Sequence, residues 1–292
     1  MTGRTIETLY EQVRNAAPAA AAFEEPEVVQ VVTGIRVLAL RTPTLPPAAH
    51  TNLYLVGPEN GPVAVVDPGS PYPDQQAVLD EVLGRVPIDL ILLTHHHCDH
   101  IGGAAALAAR WGVPIAAHAA TARRLDGIVE VTRLIADGDN VHGLTAVHTP
   151  GHAEGHLCFE HAAAGATIAG DMVAGIGTIL IDPSEGHMAL YLRSLELLLA
   201  RPAMALLPAH GPTIPDGHAK LREYLAHRRM REARVVASLP EAPATLTELL
   251  PIAYGDTPRM LWPLAERSLR AHLDKLVNEG RARFDGDARW SR

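Results

Sequence analysis

The spacing of apolar residues divides the chain into short strands and helices. Three early runs, "VVQVVTGIRVLAL" at 28–40, "TNLYLV" at 51–56 and "VAVVD" at 63–67, are rich in β-branched residues and read as strands. "DQQAVLDEVLG" spaces its apolar positions like one face of a helix. "IDLILLTH" at 88–95 is nearly continuous and apolar, as in a strand covered on both faces. A helix, "IGGAAALAARWG", comes next, and strand-like runs continue through "VPIAAH", "LTAVHTPGH", "GATIAGD" and "AMALLPAHG". Mixed strands and helices of this kind predict layered α/β or αββα packing. A short amphipathic helix is expected at 5–15, joined to the first strand by an Ala/Pro/Glu-rich connection reaching 27. Beyond His210 the pattern turns helical. "GHAKLREYLAHRRMREARVVASL" is one long polar helix, followed by "TLTELLPIAYG", "MLWPLAERSLRAHLDKLVNEG" and a two-strand ending, "RARFDGDARWSR". That ending has the pattern of a winged-helix unit. The expected organisation is an N-terminal helical extension over 1–27, a mixed α/β domain over 28–215, and a linker helix with a winged-helix-like domain over 216–292.

Composition narrows the classes. The formal net charge is -8, so no overall positive field draws in phosphate polymers, and aromatic residues are 4% of the chain, which leaves few rings to stack on bases. Cys98 and Cys158 are the two cysteines, and Cys98 lies inside a histidine cluster, so both read as thiols of a reducing compartment. The first residues lack the apolar core of a signal peptide, and no stretch reaches the roughly 18 apolar residues of a membrane span. A cytoplasmic protein without a membrane partner is expected.

The chemistry concentrates in "HHHCDH" at 95–100. In an extended segment, residues two apart point the same way, so His95 and His97 can grip one ion together. Asp99 and His100 follow as the chain turns into a helix and can reach a second ion. A catalytic zinc takes about three protein ligands and keeps a position open for water. Two ions about 3.5–4 Å apart need further ligands and a bridging group. Three more candidates stand at strand ends, where sites on rigid sheets are usually built: His152 in "HTPGHAEGH", Asp171 in "TIAGDMV" and His210 in "LLPAHGP". The consistent assignment puts His95, His97 and His152 on one ion and Asp99, His100 and His210 on the other, with Asp171 bridging. Two zinc ions per chain are expected, with manganese or iron as alternatives. A hydroxide between the ions would be the nucleophile, and Asp99 is the candidate to orient the water and pass its protons.

In that order, "THHHCDH", "TPGH", "GD" and "PAHG" resemble the metallo-β-lactamase fold superfamily. The tail, with "EYLAHRRMRE", "LTELL" and "AHLDKLVNEGRA", resembles the branch carrying a C-terminal winged helix. This branch includes mitochondrial-type single-strand endoribonucleases and fungal thioesterases that release polyketides from acyl carrier proteins. The resemblance implies a four-layer αββα sandwich whose catalytic domain is 28–215, with a small winged-helix domain behind it. It also implies that Asp67, in "VVDPGS", accepts the second N–H of a ligand histidine.

Other residues read more quietly. His96 and Cys98 occupy the variable positions of the cluster and are expected to line the rim. His156 is expected to support the ligands from behind. The helix over 219–234 carries six cations against two acids, so Arg228 and Arg229 are candidates to hold an anionic group such as an RNA backbone, coenzyme A or a phosphopantetheine arm. Acids spread through the tail favour packing, homodimer formation or closing of a pocket over DNA binding, and a metal-containing DNA-binding regulator is the remote alternative. The acidic total and scarce rings favour a (thio)ester acyl substrate, small or carried on an acyl carrier. Hydrolysis of single-stranded RNA is the alternative that the resemblance keeps open.

Overall fold

The computed structural model describes residues 6–16, 26–84, 86–202 and 204–292, so most of the connection expected before 27 lies outside the described residues. Seven strands form the first sheet in chain order among them: β1 (Val28–Val32), β2 (Ile35–Arg41), β3 (His50–Val56), β4 (Val63–Val66), β5 (Ile88–Leu92), β6 (Ile115–His118) and β7 (Arg133–Ile135). Neighbours are antiparallel as far as β4 and parallel from there to β7. The run at 28–40 is a hairpin, because Gly34 takes a left-handed turn at φ 78 that side-chain-bearing residues resist.

The second sheet holds β8 (Asn140–Val141), β9 (Leu144–His148), β10 (Leu157–His161), β11 (Ala166–Gly170) and β12 (Ala205–Pro208), in the order β12-β11-β10-β9-β8. β11 and β12 run parallel and the other pairs antiparallel. The two sheets face one another across a core that includes Ala64, Val66, Leu92, Phe159 and Ile168. Strand periodicity explains how β4 serves two layers: Val63 and Val65 point the other way, into a cluster with Leu79, Leu83 and Leu107.

Helices cover both outer faces. After α1 (Ile6–Ala16) come α2 (Pro73–Leu83), α3 (Cys98–Ile101), α4 (Ala104–Trp111) and α5 (Ala119–Arg124), of which α2 and α4 pack on the first sheet. The single helix expected after the histidines is broken at Gly102 and Gly103. A side chain there would meet the carbonyl oxygens of Gly69 at 2.5 Å and Pro68 at 2.7 Å, so the break lets the histidine loop press against the end of β4. α6 (Met188–Leu199) and the first half of α7 (Gly217–Ser238) cover the second sheet through Tyr191, Leu195, Leu221, Tyr224 and Leu225. The layers are therefore helix, sheet, sheet, helix.

The second half of α7 enters a separate core. Val235 packs there with Leu249 and Leu250 of α8 (Leu246–Ala253), Leu269 and Leu273 of α9 (Trp262–Asn278), and the fully buried Trp290. Thr245 and Glu248 close a capping box at the start of α8. The terminal strands β14 (Arg283–Phe284) and β15 (Arg289–Ser291) are joined by β13 (Ala244–Thr245), making a three-stranded winged-helix sheet where the apolar pattern predicted two strands. No described helix is long and apolar enough to cross a membrane.

Candidate active site

Four strand ends of the two sheets meet at one edge of the sandwich. β5 leads into His95 and His97, and α3 carries Asp99 and His100. β9 leads into His152, β11 into Asp171 and β12 into His210. The seven side chains gather into two groups of donor atoms. In the first, His95 Nε2 lies 2.9 Å from His97 Nδ1, and His152 Nε2 lies 3.2 and 3.0 Å from those two atoms. Asp171 Oδ2 is 3.4 Å from His152 Nε2. In the second, His210 Nε2 lies 3.5 Å from Asp99 Oδ2, and His100 Nε2 lies 4.0 Å from Asp99 Oδ1. Asp171 Oδ1 completes it at 3.3 Å from His210 and 3.5 Å from His100. Asp171 thus turns one oxygen to each group.

The donors suit a pair of cations. A metal about 2.1 Å from each nitrogen of a tetrahedral set separates the nitrogens by about 3.4 Å, close to the spacing of the first group. The remote ring nitrogens are occupied by oxygens: His100 Nδ1 by Asp67 at 2.7 Å, His152 Nδ1 by the Leu180 carbonyl at 2.9 Å, His210 Nδ1 by the His50 carbonyl at 2.9 Å, and His95 Nδ1 by the Thr94 hydroxyl at 3.0 Å. Carbonyl and carboxylate acceptors leave Nε2 unprotonated and aimed inward. His100 Nε2 and Asp171 Oδ1 are buried with no hydrogen-bond partner, as expected of atoms that await a ligand other than protein. Asp171 ionises well below the ordinary carboxyl range: burial opposes this, and His210 and His100 outweigh it.

Backbone geometry serves the same convergence. Asp67 adopts φ 51, unusual for a residue with a side chain, and in that pose its carboxylate also accepts from the Thr94 N–H at 2.8 Å and the Thr94 hydroxyl at 2.6 Å. Gly170, at φ 49, precedes Asp171, and a Cβ there would stand 2.6 Å from His156 Nε2. That nitrogen instead accepts from the Asp171 N–H at 3.1 Å, so His156 holds the turn that carries Asp171.

Residues 46–210 match the family described as Metallo-beta-lactamase superfamily, and residues 245–290 match the Beta-lactamase associated winged helix domain. The chain belongs to the metallo-beta-lactamase superfamily. As a member it is a hydrolase, of the kind in which histidine and aspartate clusters hold metal ions. Among its relatives is the Beta-lactamase-like protein 2 homolog of Drosophila melanogaster, 28% identical over 82% of this chain and 86% of the relative. The Atrochrysone carboxyl ACP thioesterase AacuM of Aspergillus aculeatus is 30% identical over 80% of this chain and 78% of its own. Among solved structures, a beta-lactamase domain protein from Burkholderia ambifaria superposes with a TM-score of 0.78 at 23% identity, covering 95% of this chain and 98% of that one, and shares the fold.

The superfamily cluster opens into a cavity of about 670 Å³. Its walls run from His97, Asp99, His152, Asp171 and His210 to residues of α1, α7 and α9, and are mainly apolar, with Leu45, Ile176, Ile179, Leu261 and Leu264 among them. Cys98 and His96 are on this wall too. The two arginines expected to bind anions part company: Arg228 is buried on the cavity wall, whereas Arg229 is on the surface, paired with Glu196 at 2.8 Å. A residue that the motifs did not reveal is Glu185, whose carboxylate takes His97 Nε2 at 2.8 Å and His96 Nε2 at 3.0 Å. It thereby turns His97 Nδ1, not Nε2, toward the cluster. The same two histidines hold the Glu185 carboxyl below its usual range against the opposing effect of burial. Glu185 sits in "DPSEGH", a loop without periodicity, and only its acid between proline and glycine hints at it.

Proposed function

We propose that the protein hydrolyses an acyl thioester with two divalent cations, zinc foremost, held by the gathered donors. His95, His97 and His152 would hold one ion, Asp99, His100 and His210 the other, with Asp171 giving an oxygen to each. Bound there, the pair would acidify a water and polarise the oxygen under attack. The observation that carries the substrate class is the cavity beside these donors: a largely apolar space suits an acyl group, while a nucleic acid backbone needs a cationic track. The cations of α7 do not form such a track, since Arg228 is buried and Arg229, Arg231 and Arg234 are spent on Glu196 and Asp256. Similarity to a protein named as an acyl carrier thioesterase supports the same reading, with a carrier-bound acyl group as the partner.

The residues divide the work. The Asp99 carboxylate orients the water and takes its proton. The water oxygen bonds to the acyl carbon, the carbon–sulfur bond breaks, and the thiolate leaves with that proton, while the acyl group departs as a carboxylic acid that loses the water's second proton to solvent. Glu185 and Asp67 keep His97 and His100 in the tautomers the site needs. The test sets zinc-loaded protein against a panel of acyl-coenzyme A and acyl-carrier thioesters and against labelled single-stranded RNA. Thioester turnover abolished by His97→Ala, with RNA intact, is expected. RNA cleavage abolished by the same substitution, without thioester turnover, would overturn the reading.

A further inference from the structure

Hydrolysis at the histidine cluster leaves one wall of the cavity unexplained, the wall built by α7, Tyr254 and α9. Arg228 lies there with 3% of its surface exposed and forms no ion pair with any described carboxylate. One of its terminal nitrogens donates to the Ile179 carbonyl and, at 3.4 Å, to the Thr178 hydroxyl, its guanidinium carbon stands 5.3 Å from the centre of the Tyr191 ring, and its Nε is buried without a partner. A buried guanidinium left without an anion is costly.

Its neighbours do not neutralise it. Arg231, about one turn along the helix, lines the same wall and is matched by Asp256, which Arg234 shares. Lys275 is matched by Glu232 at 2.6 Å. Asp171 faces the region but is committed to His100, His152 and His210. His227 is on the wall as well, and His272 lies fully buried nearby with both ring nitrogens unpartnered. The His272 pKa is pushed down to about 3, first by burial and then by Arg228, Lys275 and Arg231, which is how a positive region acts on a neutral base. Two hydroxyls on this wall add donors: that of Tyr254 is buried, with the Ser268 hydroxyl of α9 as its neighbour.

We infer that Arg228, with Tyr254 and Ser268, forms a subsite for a carboxylate carried on the acyl group. This deepens the thioesterase reading and rests on it for the identity of the reacting end. Position ties that acyl group to the donor cluster. Arg228 and His152 take the carbonyls of adjacent residues, Ile179 and Leu180, whose Cα atoms are about 3.8 Å apart. Arg228 and the donor cluster also line one cavity, so a carboxylate held by the guanidinium can belong to the same bound acyl group as the thioester carbonyl. A dicarboxylic acid esterified at one end to a thiol has that chemistry.

The experiment compares succinyl-, glutaryl-, adipyl- and suberyl-coenzyme A with butyryl-, pentanoyl-, hexanoyl- and octanoyl-coenzyme A on the zinc-loaded chain. A charge-assisted contact predicts kcat/KM at least about 10-fold higher for the carboxylated member of each pair. The ratio should fall toward one in Arg228→Met, be partly kept in Arg228→Lys, and shrink several-fold in Tyr254→Phe, which keeps the ring and its packing. Absence of the preference, or a preference equal in wild type and Arg228→Met, would overturn the subsite. Should no thioester be turned over at all, the hydrolytic reading fails and calorimetry decides the subsite alone. Glutarate binding at least about 10-fold tighter than pentanoate in wild type, with the difference lost in Arg228→Met, supports it; equal binding of both acids overturns it.

Discussion

At the scale of single residues, the site depends on groups that orient its donors. Glu185 is the clearest case, since its two oxygens fix His96 and His97 together and it belongs to no recognisable motif. Such supporting partners are worth about 10–100-fold in metal affinity. Glu185→Ala is expected to weaken binding by that factor at the ion held by His97, measured by competition with a chromophoric chelator, while the site formed by Asp99, His100 and His210 changes less. Asp67 was legible through the family resemblance of "VVDPGS", and His156 through its place just after His152. Glu185 was not, because an acid in a loop looks the same whether it meets water or a histidine 88 positions away.

Among elements, α9 both lines the cavity and supports the donor cluster through a turn that it holds from behind. Arg267 donates through Nε to Asp182 Oδ2 at 2.7 Å, and Asp182 Oδ1 accepts from the Ser184 N–H at 2.9 Å and the Ser184 hydroxyl at 2.7 Å. Those bonds hold the turn that presents Glu185. Arg267→Met should therefore lower metal affinity in the same direction as Glu185→Ala and by a smaller factor, about 10-fold at most. Unchanged affinity in the chelator titration would show that the turn holds itself. A second element-scale prediction concerns acid. Arg231 and then Arg234 lower the Asp256 carboxyl from 3.8 to about 2. A carboxyl lowered on folding stabilises the fold above its unfolded value and loses that contribution as pH falls through the folded one. The difference in thermal midpoint between wild type and Asp256→Asn should be constant near neutrality and close as pH drops from 3.8 toward about 2; it should be small, because the Asp256 side chain is 43% exposed and screened by solvent. The sequence pattern located α7, α8 and α9, but not this use of them, since salt-bridge partners 85 positions apart leave no mark on periodicity.

For the whole molecule, α7 ties the sandwich to its tail. Leu221, Tyr224 and Leu225 close the outer face of the second sheet, and Val235 of the same helix enters the C-terminal core. A break at 215, where the change in sequence pattern suggests one, would strip three large buried side chains from the sandwich. Burying each is worth about 1.5–3 kcal/mol, comparable in sum to the net stability of an ordinary domain. The fragment 1–215 is expected to be insoluble or to lack a cooperative thermal transition, checked by calorimetry against the full chain. A soluble fragment that melts cooperatively would show that α7 is dispensable to the sandwich.

The order of apolar runs, the histidine and aspartate types at strand ends and the helical tail were enough to specify family and layered fold, because each is a local property that periodicity and residue chemistry record. Tertiary structure alone decided that Glu185 and the Leu180 carbonyl aim the histidines, and that Arg228 is buried in a cavity wall while Arg229 meets solvent. These depend on distances between segments far apart in the chain, and neighbouring positions on one helix receive opposite surroundings only once the helix is packed.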